Sequence, residues 1–441
     1  MPPPPPQAET KDQVGSLPAR AILGCAVAGL ILLGAVGYVV LGKDSTGGAQ
    51  MLTSPSGRVL SSSARGPGKP PSTKPRWNED VDCEAGCTLA ADDRAIYVLS
   101  YTSSYTVGSA SDDDYGEVEE TISSRDEDDN TLTALDGSSG KELWSQDVTG
   151  STLIGAIDGH ILVYDSSEEE VASYDPQTGD REWRADGSWT QFRIGRDLVL
   201  SQYDADDSSA STSVISIDDG KTIWSEDGYP AGVCGGAAYL VDDDDVVARD
   251  ARTGDERWTT RAEDGVDASC SRDGVFLAAD GEVSSLDTGN GKERWTQKIK
   301  GASTVDAGDG AVVVGTDDEV LGLSPKDGEE QWSQDLADWG QVAGSIPAGK
   351  GRAIRSGEDG EELVLFDLKT GEEINSYRVP DASTALSPDR IYVLDEGEVA
   401  ALTLGSLDEA WSFDGDKDAT QIAVGGGRSY LLSETEISAH W

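Results

Sequence analysis

The chain has 441 residues, with 83 Asp and Glu against 34 Lys and Arg, for a formal net charge of −49 at pH 7. A surface this acidic repels phosphate backbones and argues against a nucleic-acid partner. Only two histidines and five cysteines are available for imidazole or thiolate chemistry.

Residues 1–20 are polar and carry Pro2 to Pro6 in a row, which reads as a disordered Pro-rich tail. Ala21 to Leu41 is uncharged over 21 residues, enough for one bilayer crossing at ~20 residues. A cleaved leader has a shorter apolar core with a small-residue cleavage site close behind it. Here the core is long and ends in Val39-Val-Leu-Gly-Lys43, so an uncleaved transmembrane anchor is expected. Ile22-Leu-Gly-Cys25 imitates a lipoprotein box, but the apolar run follows the cysteine instead of preceding it. Lys11 and Arg20 before the span balance Lys43 and Arg58 after it, so flanking charge leaves orientation open. Residues 42–76 are Gly, Ser, Pro and Lys with almost no large apolar side chain, a flexible stalk of roughly 30 Å root-mean-square span.

From 77 to 441 one phrase organises the chain. Ala134-Leu-Asp-Gly-Ser-Ser-Gly140-Lys-Glu-Leu-Trp144 returns as Asp175…Gly179…Trp183, Asp250…Gly254…Trp258 and Asp287…Gly291…Trp295, and with Ser324 for Asp at Gly328…Trp332. It reads as shortened by two residues at Asp218…Gly220…Trp224. Two copies are degraded: Asp367…Gly371 leads to Asn375, and Thr403 leads to Trp411 with the turn Gly displaced. The anchors lie 34 to 43 residues apart, a period that marks a repeat architecture.

One period, residues 258 to 295, holds four short β-rich runs with Gly/Asp punctuation and no helical stripe. Four strands repeated every ~40 residues predict an all-β propeller whose blades ring a channel. Arg76-Trp77-Asn78 looks like an orphan copy of the strand holding Trp295, while residues 420–441 supply three strands and stop. Joining the two ends closes the ring and gives nine blades by repeat count. The Trp anchors (Trp77, Trp144, Trp183, Trp224, Trp258, Trp295, Trp332 and Trp411) are expected to dock blade on blade. Trp189 and Trp339 each open a first strand near one rim and are candidates for a contact surface.

The phrase nearly whole at Ala172-Ser-Tyr-Asp-Pro-Gln-Thr-Gly-Asp-Arg-Glu-Trp183 resembles the pyrroloquinoline-quinone-like propeller repeat, over about residues 77 to 441. The resemblance implies eight blades, against the nine counted. It implies either a quinoprotein dehydrogenase or a non-enzymatic scaffold similar to an outer-membrane assembly lipoprotein. The dehydrogenases use a calcium-bound quinone, a catalytic Asp and usually two vicinal cysteines, and no two cysteines here are adjacent. No catalytic, cofactor-binding or metal-ligating residue is therefore assigned, and function is not read from fold.

Outside the span the cysteines number four. Cys83 and Cys87 bracket three residues, and Cys234 and Cys270 occupy equivalent places in consecutive repeats. Two disulfides are expected, in an extracytoplasmic compartment; a zinc site is the rival, with only His160 and His440 to complete it. Asp112-Asp-Asp114, Asp126-Glu-Asp-Asp129 and Asp242-Asp-Asp-Asp245 lack the twelve-residue calcium-loop spacing and read as solvated turns. The expectation is a single-pass plasma-membrane protein, N-terminus cytoplasmic, whose propeller scaffolds an envelope protein or peptide. The alternatives are a diverged quinone-dependent oxidoreductase or a ligand-sensing propeller.

Overall fold

In the computed structural model the described residues are 65–83, 86–101, 130–150, 152–204, 209–262, 266–308, 310–335, 346–349, 351–356, 362–379 and 383–441. The Pro-rich tail, the expected span 21–41, residues 42–64, the acidic insertion 109–129 and Trp339 lie outside them.

The described strands form nine antiparallel sheets of four strands each. The ring thus has the nine blades of the repeat count, not the eight implied by the family resemblance. Blades 1 to 8 are continuous in sequence: 87–148, 152–186, 188–227, 229–261, 267–298, 304–335, 346–378 and 383–414. Blade 9 takes three strands from the C-terminal stretch, Gln421–Gly425, Arg428–Leu432 and Glu436–His440, and its outermost strand from Trp77–Asp80. That pairing runs from Trp77 opposite Ala439 to Asp80 opposite Glu436. Asn78 adds a side-chain hydrogen bond to Glu436 at 2.8 Å.

Local chemistry sets the strand order. Second strands such as Ala95–Ser100 and Ala237–Asp242 are buried almost throughout, so they run between neighbours. Fourth strands such as Glu256–Arg261 and Glu330–Asp335 bury one residue, the Trp, among exposed or half-buried polar and charged ones, so they form the rim. First strands of neighbouring blades face one another, blade 9 against blade 1 included.

Among the described residues there is no single core. The buried side chains fall into successive clusters, each spanning a junction between blades. One joins Leu99 and Leu132 of blade 1 to Leu153 and Ile161 of blade 2. Another joins Phe276 of blade 5 to Val312 of blade 6, and a third joins Ile437 of blade 9 to Ile96 of blade 1. Each fully buried Leu, Ile, Val or Phe contributes about 1.5–3 kcal/mol, so blades are stabilised mainly by their neighbours.

Candidate functional site

The repeated phrase builds a docking unit at each blade junction. The Asp accepts from the turn amides ahead of it: Asp175 from Gln177 and Thr178 at 2.7 and 2.9 Å, Asp250 from Arg252 and Thr253 at 3.0 and 3.1 Å. These donors and the Arg257 guanidinium, the largest influence, hold the Asp250 carboxyl down at about 2. The turn Gly takes φ of 66° to 76°, which a side chain rarely adopts. A Cβ on it would lie 2.5 to 2.8 Å from side-chain atoms at the junction, foremost the Trp of the preceding blade. That Trp donates its ring N–H to the carbonyl one residue past the Asp position. Seven such bonds, from Trp77 to Gly137 through Trp332 to Leu368, measure 2.9 to 3.2 Å.

The small residue of the phrase has its own reason. It pairs directly with the Trp: Ala134 with Trp144, Ala248 with Trp258, Gly322 with Trp332. A Cβ at Gly322 would meet the Trp332 ring. The register then slips by one residue in each of these hairpins, a bulge that re-aims the Trp towards the next blade.

Two readings of the phrase need correction. The copy ending at Trp224 is not shortened: Gly220 N–H donates to Ser216 O, so Ser216 holds the Asp position eight residues before the Trp. In blade 8 the turn position belongs to Leu407, at φ 53°, whose N–H donates to Thr403 O. Leu407 is tolerated there because the preceding blade offers Asn375 in place of a Trp ring. Asn375 still donates to Ser406 O at 2.9 Å, so the junction keeps a cross-blade bond. Trp411 N–H is buried without a hydrogen-bond partner among the described residues.

Both disulfides are formed. Cys83 and Cys87 have Cα atoms 5.3 Å apart, and Cys234 and Cys270 lie 6.2 Å apart on the first strands of blades 4 and 5. Trp189 lies in the first strand of blade 3, half-buried against the cluster between blades 2 and 3. Asp242 and Asp245 face each other across a tight hairpin with Asp243 at φ 48°, and Asp244 pairs with Arg261 at 2.5 Å.

The two histidines sit in different settings. His160 Nδ1 meets Glu182 at 2.6 Å and Ser173 at 3.1 Å, and Ser173 donates to the same Glu182 oxygen at 2.9 Å. A nucleophile relay places hydroxyl and carboxylate on opposite ring nitrogens; here both meet one nitrogen, and Ser173 is fully buried. The arrangement ties strands of blade 2 together and reaches Asp218 of blade 3 at 3.6 Å through Nε2. His440 is 1% exposed, and burial lowers its pKa from the ordinary value. Sequence reasoning missed Asp267. On the first strand of blade 5 it accepts from Val305 N–H of blade 6 at 2.7 Å, and burial pushes it up to about 6.

Charge is sorted between the two faces. Strands alternate in direction, so the first hairpin and the Asp–Gly turn of a blade open on one face and the second hairpin on the other. Six second hairpins are described throughout: Asp165-Ser-Ser-Glu-Glu-Glu170, Asp242-Asp-Asp-Asp245, Asp280-Gly-Glu282, Asp317-Asp-Glu319, Asp395-Glu-Gly-Glu398 and Glu434-Thr-Glu436. None contains Lys or Arg. First hairpins carry Arg94, Arg196, Arg272, Arg390 and Arg428, and six Asp–Gly turns carry a Lys or Arg, from Lys141 to Lys369. The turn face is mixed in charge; on the other face the described second hairpins are acidic, and the blade connections beside them add Lys298, Lys300 and Lys417.

Residues 46–231, 210–339, 242–386 and 316–439 match the family described as outer membrane protein assembly factor BamB. No curated protein matches the sequence. Among solved structures the chain is similar to BamB from Moraxella catarrhalis, with 13% identity over 83% of this chain and 97% of that one and a TM-score of 0.35. It is similar to a quinohemoprotein alcohol dehydrogenase from Pseudomonas putida, with 11% identity over 83% and 76% and a TM-score of 0.39. It is also similar to apo AztD from Citrobacter koseri, with 12% identity over 70% and 95% and a TM-score of 0.37. With its Trp-docked blades and most of its length matched, the chain belongs to the BamB family of pyrroloquinoline-quinone-like β-propeller repeats.

Proposed function

We propose that the protein is a membrane-anchored, extracytoplasmic scaffold that holds an envelope protein or peptide by a basic segment laid on the hairpin face. The sorting of charge carries this reading. A face whose second hairpins hold only carboxylates steers a cationic partner towards itself and keeps acidic proteins away. Tyr203 and Tyr229, each 41% exposed, stand at the hairpin-face ends of their strands in neighbouring blades and offer aromatic anchors there. Paired cysteines suit an oxidising compartment. The span Ala21–Leu41 supplies the anchor, with the N-terminus in the cytoplasm.

Photocrosslinking in intact cells tests the reading. A crosslinker at Asp243 or Glu396 on the hairpin face should capture one major envelope partner, and one at Ser138 on the turn face should not. Equal capture from both faces, or none from either, would overturn it. Dye reduction on adding quinone and calcium to the purified protein would instead make it an oxidoreductase.

A further inference from the structure

Blade 9 has no Asp–Gly turn of its own, since its third and fourth strands come from distant parts of the sequence. Residues 65–76 take that place on the turn face and are held there through their backbone. Gly427 N–H, in the first hairpin of blade 9, donates to Arg65 O at 2.7 Å. The Tyr392 hydroxyl of blade 8 donates to Pro67 O at 3.3 Å. The His440 ring meets Ser72 O at 3.0 Å, and Arg76 N–H donates to Ala439 O at 2.8 Å. Pro67 and Pro71 are buried.

The charged side chains left outside are of one sign. Arg65, Lys69, Lys74 and Arg76 are all exposed, and the segment contains no Asp or Glu. In a chain with 83 Asp and Glu against 34 Lys and Arg, this reverses the local charge. None of the four forms an ion pair among the described residues, whereas Arg193, Arg249 and Arg257 of the blades each do. Arg428 of blade 9 joins Arg76 on the Trp441 ring, at 5.4 and 5.7 Å from its centroid. Among carboxylates on the adjoining elements, Asp389 is paired with Arg390 at 3.4 Å, and Asp416 lies towards the His440 ring. The cations also stand where the chain arrives from its expected span. Only residues 42–64 separate Arg65 from Ala21–Leu41, and these add Lys43 and Arg58 against Asp44. A tether this short keeps the segment at high effective concentration beside a bilayer.

We propose that residues 65–76 form a basic ridge that docks on anionic lipid headgroups and sets the turn face towards the bilayer, with the acidic second hairpins turned away. This rests on the membrane anchor proposed for Ala21–Leu41. Guanidinium and ammonium groups both meet phosphate oxygens, and each cation brought to an anionic surface contributes about fivefold in affinity. Repulsion from the carboxylates elsewhere is screened beyond a Debye length of about 8 Å at physiological salt.

Energy transfer in vesicles tests this. The full-length protein carries Cys25→Ser and one fluorophore, on Thr73→Cys in the ridge or on Asp243→Cys at the opposite face, and the acceptor sits on the lipid headgroup. Vesicles are phosphatidylcholine alone or an equal mixture with phosphatidylglycerol. Transfer from position 73 should rise about twofold with the anionic lipid and fall back in 1 M sodium chloride. Transfer from position 243 should not rise. Lys69→Glu with Lys74→Glu, whose side chains make no hydrogen bond or ion pair among the described residues, should abolish the rise. Lys298→Glu with Lys300→Glu, on the opposite face, should keep it. Equal transfer in both lipids, an equal rise at position 243, or a rise that survives Lys69→Glu with Lys74→Glu would each overturn the proposal. A rise that follows protein density instead of lipid charge would assign the ridge to the acidic face of a second copy, and overturns it too. Protein that separates from phosphatidylcholine vesicles on flotation refutes the anchor. Flotation with the anionic vesicles then decides the ridge: recovery lost in the Lys69→Glu and Lys74→Glu double variant supports it, and absent or unchanged recovery sinks it.

Discussion

At the residue scale the propeller is a set of interlocked exceptions to backbone rules. Seven turn glycines at positive φ lie against seven Trp rings, and the one junction without a Trp is where a leucine takes the turn position. Asn375 and Leu407 are therefore a coupled pair. Asn375→Trp alone should destabilise, because the ring meets the Leu407 side chain; Leu407→Gly beside it should recover stability. A double-mutant cycle is expected to show coupling above about 1 kcal/mol, and additive effects would separate the two positions. The ring N–H makes a second contrast. Trp258→Phe breaks a 3.0 Å bond to Thr288 O and should cost about 1 kcal/mol more than Trp411→Phe, which has no bond to lose. Chemical denaturation of both variants checks it. The Trp spacing made the docking residues legible without coordinates, because each copy keeps the same eight-residue interval. The frame around Trp224 was not legible: Asp218 and Asp219 crowd the turn and hide Ser216.

At the element scale, strand count and ring closure were readable because every blade is punctuated by the same turn. The blade number followed from counting units, and the family resemblance pointed to one fewer. Hydrogen bonds between first strands of neighbouring blades were not readable, since they join positions 38 residues apart through residues of no distinctive type. Asp267 is the example. Its carboxyl is raised to about 6, above an unfolded value of 3.8. The folded state therefore binds the proton more tightly, and stability declines as pH rises from about 4 to 6. Asp267→Asn, which keeps an acceptor for Val305, should remove that decline and raise stability at pH 7 by up to ~3 kcal/mol. A pH series of thermal melts decides, and parallel curves for the two proteins would refute the assignment. The disulfide between blades 4 and 5 closes a sequence separation of 36 residues, for which chain entropy gives about 3–4.7 kcal/mol. Thiol counting on the denatured, unreduced protein should find one free thiol, Cys25, and three would exclude a bridge.

For the whole molecule, charge acts on folding and on binding with opposite signs. A net charge of −49 destabilises the compact state through self-repulsion, since carboxylates on neighbouring second hairpins are brought together by folding. Ion pairs among the described residues, such as Arg249–Glu226 at 2.8 Å, are too few to neutralise them. The same excess supplies the long-range attraction proposed for a basic partner. Salt screens both, with a Debye length of about 30 Å at 0.01 M and about 3 Å at 1 M. Raising sodium chloride over that range should therefore increase the melting temperature while reducing crosslinked partner from the hairpin face. Charge reversal at Asp243 should mimic salt in both respects, more weakly. A melting temperature that falls with salt would mean that paired charges outweigh repulsion. Capture that is indifferent to salt would mean that apolar contacts hold the partner, and the acidic face would then need another explanation.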